Sequence, residues 1–269
     1  MVLPKIQDLI GIQQSEPHFE PVFEHTISVL RWLKKLLNQT IEIDRLAPVI
    51  EQLRPHLERP VTGNLQGLDL LWLGALYHDV GKAETQTAEI NDDGSTRYRF
   101  FGHDKVGSKI TYDRLRHFHL SSEAVTHSAD IVAGHMRPLL LANGPKVTVR
   151  AKHRFWKKMG TAGLDICLLS IADNLATHNG TGDAETWNSF FQTVSDLLDH
   201  WFAFEDPAVK RDPLVTGRDL MDGLEMKGGP EIGRLLDLIE EAHVAGEVNS
   251  PAEAIELARR FVQKRSDEA

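Results

Sequence analysis

The chain has 269 residues, a formal net charge of −9, 41% hydrophobic and 26% charged residues, and a single cysteine, Cys167. A chain of this length and balance can bury a substantial core as a soluble globular protein, and one cysteine excludes a disulfide framework and a cysteine-built metal cluster. No apolar run reaches the ~18 residues a membrane helix needs, the N-terminus lacks the apolar core of a signal peptide, and the acidic balance argues against nonspecific coating of nucleic acid. A reducing cytoplasm is the expected location, with no membrane partner.

Apolar residues recur at helical spacing along most of the chain. "PVFEHTISVLRWLKKLL" sets Val22, His25, Val29 and Leu33 on or near one stripe, with Lys34 and Lys35 outside it. "LDLLWLGALYHDVG" is apolar nearly all round apart from Asp69 and Asp79, so it reads as a central helix that stops at Gly81. Between "TAEI" and "TRYRF", Asp93-Gly94 is placed to turn a small hairpin, the one expected β element. "HDKVGSKITYDRLRHF" and "SSEAVTHSADIVAGHM" read as helices, the second with Ser and Glu set for an N-terminal cap. "GLDICLLSIADNLATH" is another apolar helix. "EIGRLLDLIEEAHVAG" and "PAEAIELARRFVQKR" close the chain. Two prolines and mixed charge in "FEDPAVKRDPLVTG", around 204–217, mark the best boundary. The expectation is an all-α helical bundle over 1–203 and a short helical tail over 204–269, with at most one small β-hairpin.

The 13 histidines carry the chemistry. Asp79 lies in an apolar helix, where an unpaired carboxylate is costly to bury, and His78 is beside it. Asp173 interrupts a second apolar helix and His25 sits on or near the apolar stripe of a third. Taken singly, His25 reads as a hydrogen-bonded core histidine and Asp173 as an internal cap or half of a buried ion pair. With His78 and Asp79 they are better explained by convergence on a cation, and imidazole and oxygen ligands suit divalent Mg, Mn, Fe or Zn. His103 and His135 each follow a glycine at a helix edge; each alone reads as a loop histidine, but as a pair they can supply a second ion with Asp79 shared. Two ions ~3.5–4 Å apart are a common device for phosphoester hydrolysis.

The order His25, His78-Asp79, His103, His135, Asp173 resembles the HD superfamily of metal-dependent phosphohydrolases. The resemblance covers about residues 20–200 and implies an HD-type helical bundle. It also implies one or two divalent ions (Mg, Mn, Fe, Ni, Co or Zn) and a phosphate contact for Lys82 in "HDVGK". Hydrolysis of a phosphomonoester or phosphodiester in a nucleotide, another phosphorylated small molecule or an RNA end would follow, with Asp79 and Lys82 catalytic. "FFGHDKVGS", "VAGHM" and the tail "GGPEIGRLL…EEAHVAGEVNSPAEAIELARR" are similar to the HD body and tail of bacterial CCA-adding tRNA nucleotidyltransferases. The sequence has no Asp-x-Asp pair of the kind a nucleotide-transferring head uses, so the expectation is tRNA-type ancestry without nucleotide addition. The alternative is a non-catalytic RNA- or partner-binding module with a structural or vestigial metal. Two weaker signals remain. Arg150, Lys152, Arg154, Lys157 and Lys158 surround Phe155 and Trp156, which reads either as a nucleic-acid stripe or as a solvated helix face with its aromatics in the core. "GGPEIG" opens a helix whose free N–H groups either hold a phosphate or simply cap the tail.

Overall fold

The structure, a computed structural model, describes residues 4–41, 43, 46–144, 147–205 and 212–267. Part of the expected boundary segment, 206–211, lies outside the described residues. The helices are α1 Pro4–Gln7, α2 Val22–Leu37, α3 Leu46–Glu58, α4 Gly67–Tyr77, α5 Lys82–Thr85, α6 His103–His117, α7 Ser122–Gly134, α8 Arg137–Ala142, α9 Val149–Met159, α10 Ala162–Thr177, α11 Ala184–His200, α12 Gly217–Leu224, α13 Pro230–Val244 and α14 Pro251–Asp267. A π-helical turn, Trp201–Glu205, follows α11. Strands β1 Pro60–Thr62 and β2 Leu65–Gln66 form one antiparallel pair; β3 Thr87–Ile90 and β4 Thr96–Arg99 form the other. The chain is thus all-α, with two small sheets among the described residues. The β3–β4 hairpin turns where Asp93-Gly94 predicted it. The β1–β2 pair exceeds the one hairpin expected: it is a short turn at Gly63 that delivers the chain into α4. No helix among the described residues is long and apolar enough to cross a membrane.

Two compact units emerge: residues 1–146 with 159–198, and residues 147–158 with 199–269. In the first, α10 packs against α2 and α7, α4 against α7, and α6 against α7. Nearly every residue of α10 is buried, as its uninterrupted apolar run requires. Asp69, one of two charges interrupting the apolar α4 run, is a cap: its carboxylate accepts the Gln66 N–H at 2.8 Å. The Ser121 hydroxyl caps α7 by accepting from the Ala124 N–H at 3.2 Å. The second unit has its own core of Val215, Leu220, Ile232, Leu235 and Ile239 with two alanines of α14. It takes in α9, which a linear division near residue 204 leaves with the body.

The apolar helix α4 ends at Tyr77, four residues before the expected stop at Gly81, which instead precedes α5. The backbone of Gly81 is right-handed, φ −69°, so it is no left-handed helix stop. A Cβ there would collide with the His103 carbonyl oxygen and the Gly107 nitrogen. The missing side chain lets α6 approach and brings His103 beside Asp79. Gly81→Ala is therefore expected to destabilise by about 1–3 kcal/mol through overpacking, read as a lower midpoint in denaturant titration. An unchanged midpoint would mean that α6 can give way freely.

Candidate metal centre

All six His and Asp residues singled out in the sequence come together in the first unit, in two adjoining groups. His25, His78 and Asp173 form one, and Asp79, His103 and His135 the other; within each group the candidate ligand atoms lie within 4.8 Å of one another. α2 supplies His25, the turn after α4 supplies His78 and Asp79, α6 opens on His103, His135 follows α7 directly, and Asp173 lies in the last turns of α10.

Ring tautomers follow from carbonyl partners. The Nδ1 of His78 lies 2.8 Å from the Ala75 oxygen, that of His103 2.8 Å from the Phe100 oxygen, and that of His135 2.7 Å from the Val132 oxygen. A carbonyl only accepts, so each Nδ1 donates its N–H, and whenever one of these rings is neutral its Nε2 lone pair turns inward. The consequence is sharpest at His103 and His135, whose Nε2 atoms face each other at 3.2 Å. With both rings neutral, two lone pairs at that distance repel unless a cation lies between or beside them. His78 Nε2 is buried without a hydrogen-bond partner. The donor set therefore fits a divalent ion of the kind imidazole and carboxylate bind. In the first group, His25 Nε2 lies 2.8 Å from Asp173 Oδ1.

Asp79 faces both groups. Its Oδ2 is 3.3 Å from His78 Nε2; its Oδ1 is 3.6 Å from His103 Nε2 and 3.8 Å from His135 Nε2. Only 2% of the residue is exposed. Burial alone would raise its pKa, but Lys82 and His78 outweigh that and hold it well below the usual carboxylate range. Burial, with His103 and His78 nearby, pushes His135 down to about 4, which keeps its ring neutral and ligand-competent. Burial also opposes ionisation of Asp173, yet its hydrogen bond with His25 keeps that carboxyl below its ordinary value.

Lys82 opens α5, one turn beyond Asp79, and its Nζ lies 2.7 Å from Asp79 Oδ2. It also donates to Gln14 Oε1 at 2.9 Å, and Gln14 in turn donates to the Glu20 carbonyl at 2.9 Å. Above them opens a cleft of about 820 Å³ lined by Asp79, Lys82, His103, His135 and Asp173, with His18 and Asn174 on its walls. No sequence pattern marks Gln14 or His18 as site residues. His18 meets the His25 ring edge-on at 4.7 Å, and burial, aided by Lys82, lowers its pKa to about 4.

The basic stripe behaves differently. In the second unit Arg150 pairs with Glu247, Arg154 with Glu241 at 2.6 Å, and Lys157 with Asp237 at 2.8 Å and with Glu240. Lys152 is half-buried and Lys158 exposed. Phe155 is 2% and Trp156 1% exposed, so neither ring can stack on a base. Pro230 opens α13 after Gly229, as "GGPEIG" suggested.

The HD domain family profile matches residues 22–178, and that of tRNA nucleotidyltransferase domain 2 matches residues 184–258. The chain is similar to the A-adding tRNA nucleotidyltransferase of Deinococcus radiodurans, 28% identical over 100% of this chain and 52% of that protein. The CC-adding tRNA nucleotidyltransferase of Thermus thermophilus is 30% identical over 94% of this chain and 48% of its own length. That of Synechocystis sp. is 30% identical over 57% of this chain and 33% of its own. The chain thus spans about half the length of the first two.

If the two groups hold separate ions, His103→Ala and His135→Ala should each remove one metal per chain by elemental analysis, with the helical circular dichroism unchanged. Unchanged stoichiometry in both variants would leave a mononuclear centre.

Proposed function

The chain belongs to the HD domain family, and from that premise we propose that it is a divalent-metal-dependent phosphohydrolase acting on a phosphomonoester or phosphodiester. One observation carries the reading: the opposed Nε2 atoms of His103 and His135, beside a buried Asp79 that faces both groups, lie on the floor of an open cleft. His25, His78, Asp79 and Asp173 would hold one ion, and Asp79, His103 and His135 a second. When bound, such ions supply a water nucleophile at neutral pH and neutralise phosphate charge.

The chain's own residues do the rest. The Nδ1–H bonds of His78, His103 and His135 fix ring orientation. Gln14 steers the Lys82 ammonium, which would meet charge developing on the phosphate. The relatives' names specify work on tRNA, which favours an RNA end or nucleotide as substrate. This activity is placed in residues 1–203, with 204–269 as a helical tail. A second reading, a non-catalytic RNA-binding module with a structural metal, draws on the same names, since they specify nucleotide addition and no hydrolysis.

Hydrolysis of nucleotides, cyclic phosphates or RNA ends should require added divalent metal and vanish with a chelator. Asp79→Ala should abolish it and weaken metal binding. Lys82→Ala should keep the metal and lose about 10²–10³-fold in kcat, the range for deleting one transition-state charge partner. A full screen without metal-dependent turnover would leave the binding-module reading.

A further inference from the structure

A second cluster of ligand-type side chains lies in the first unit, separate from the cleft. His56 of α3, His127 of α7 and Asp165 of α10 bring their ligand atoms within 4.8 Å of one another. Both His56 Nε2 and His127 Nε2 point at the same oxygen, Asp165 Oδ2, at 2.8 and 2.7 Å. Asp165 is fully buried, and its other oxygen, Oδ1, has no hydrogen-bond partner. Along α7 and α10, His127 and Asp165 lie eight residues before His135 and Asp173, about 12 Å of helix. The same two helices thus set a His and an Asp at each of two levels, the upper His being the residue just after α7.

Arg59 makes this cluster more than a hydrogen-bonded triad. Its guanidinium lies 3.1 Å from His56 Nδ1, 3.2 Å from His56 Nε2 and 3.3 Å from His127 Nε2, anchored by donation to the His56 carbonyl at 2.7 Å. An imidazole nitrogen must donate a proton to face a carboxylate oxygen and must offer a lone pair to face a guanidinium. His127 Nε2 is asked to do both, whereas His56 can donate from Nε2 to Asp165 and accept from Arg59 at Nδ1. Two lone-pair nitrogens and the carboxylate around a cation resolve the conflict at His127 and give the Asp165 carboxylate, with its unpartnered Oδ1, a counter-charge. We infer that His56, His127 and Asp165 form a second, structural site for a borderline transition-metal ion of the Zn²⁺, Ni²⁺ or Co²⁺ type, and that Arg59 occupies the cation's place until it is displaced. Two imidazoles and one carboxylate, with water completing the shell, suit such ions and not Mg²⁺ or Ca²⁺. The exchange is electrostatically consistent: Arg59 is half-buried, and a divalent ion in its place would take over the buried Asp165 charge. The bound ion would fasten α3 to α7 and α10.

Arg59 gives the test its sign. The metal-free full chain is titrated with Zn²⁺, counting equivalents by elemental analysis after gel filtration and following the thermal midpoint. His56→Ala and His127→Ala should each bind one equivalent fewer than the unmodified chain, and the loss should add to that of His103→Ala, which belongs to the other centre. Arg59→Ala should bind this equivalent at least tenfold more tightly, because a competing cation is gone. An internally satisfied network predicts the opposite: equal stoichiometry in His56→Ala and His127→Ala, and an Arg59→Ala chain that is only less stable. Either result would overturn the inference. Activity is not the readout, so the assignment survives or falls apart from the hydrolase reading. Helical circular dichroism identifies a variant that has not folded; for that case His127→Gln, which keeps the polar volume without the ring nitrogen, is the substitute and should show the same loss.

Discussion

A carboxylate in an apolar interior, deprived of water, costs on the order of several kcal/mol unless cations and donors surround it. Asp79 is that carboxylate, and the first unit is organised to surround it. The α4 run is too apolar to be anything but buried, so the residue that ends it goes inside with it. Its two oxygens then need partners from different directions. Lys82 and His78 come from the same turn; His103 and His135 come from α6 and from the end of α7, and Gly81 is what lets α6 close in. The helix packing and the candidate chemistry are thus one arrangement. The groups that neutralise a buried charge are the groups that could hold ions, and the cleft stays open above them.

This explains why six residues were legible in the sequence. Each breaks an apolar pattern or abuts a glycine at a helix edge, and an ionisable group in an apolar helix demands a partner that the one-dimensional pattern can signal. The missed residues lack that contrast. His18 and Gln14 lie in irregular chain before α2, where a polar residue is unremarked. Asp165 also sits in the apolar α10, but near its start, where an acidic residue reads as an ordinary first-turn charge. His56 is hidden further because Pro55 argues against the helix that carries it. Helix α3 and the β1–β2 turn are likewise unmarked in the sequence pattern. Pro55 disguises one, and strands of two or three residues give no alternation to read in the other.

The basic stripe is a place where the sequence leaves two readings open. Its charge periodicity is real, with the aromatic face buried and the basic face outward, but a sequence shows charges without showing what lies across from them. Here the facing surface is acidic: Asp237, Glu240 and Glu241 on α13 answer Lys157 and Arg154, and Glu247 beyond it answers Arg150. Exposed ion pairs of this kind are individually weak. Together they set the register of α9 on its neighbour, and they compete with any phosphate that would use the same cations. A nucleic-acid role for this face would first have to break those pairs.

The two levels of His and Asp on α7 and α10 raise a physical question about division of labour. At the upper level the side chains face a cleft, Nε2 lone pairs are left opposed, and Lys82 stands by, a disposition that leaves room for a ligand to enter. At the lower level Asp165 is sealed, the histidines are nearly so, and a guanidinium fills the remaining space. Reactive sites tolerate unsatisfied groups because a substrate or ion completes them; structural sites are completed from within or by an ion that stays. One pair of helices can therefore carry both kinds of cluster, and the difference between them is set less by ligand identity than by what closes the open side.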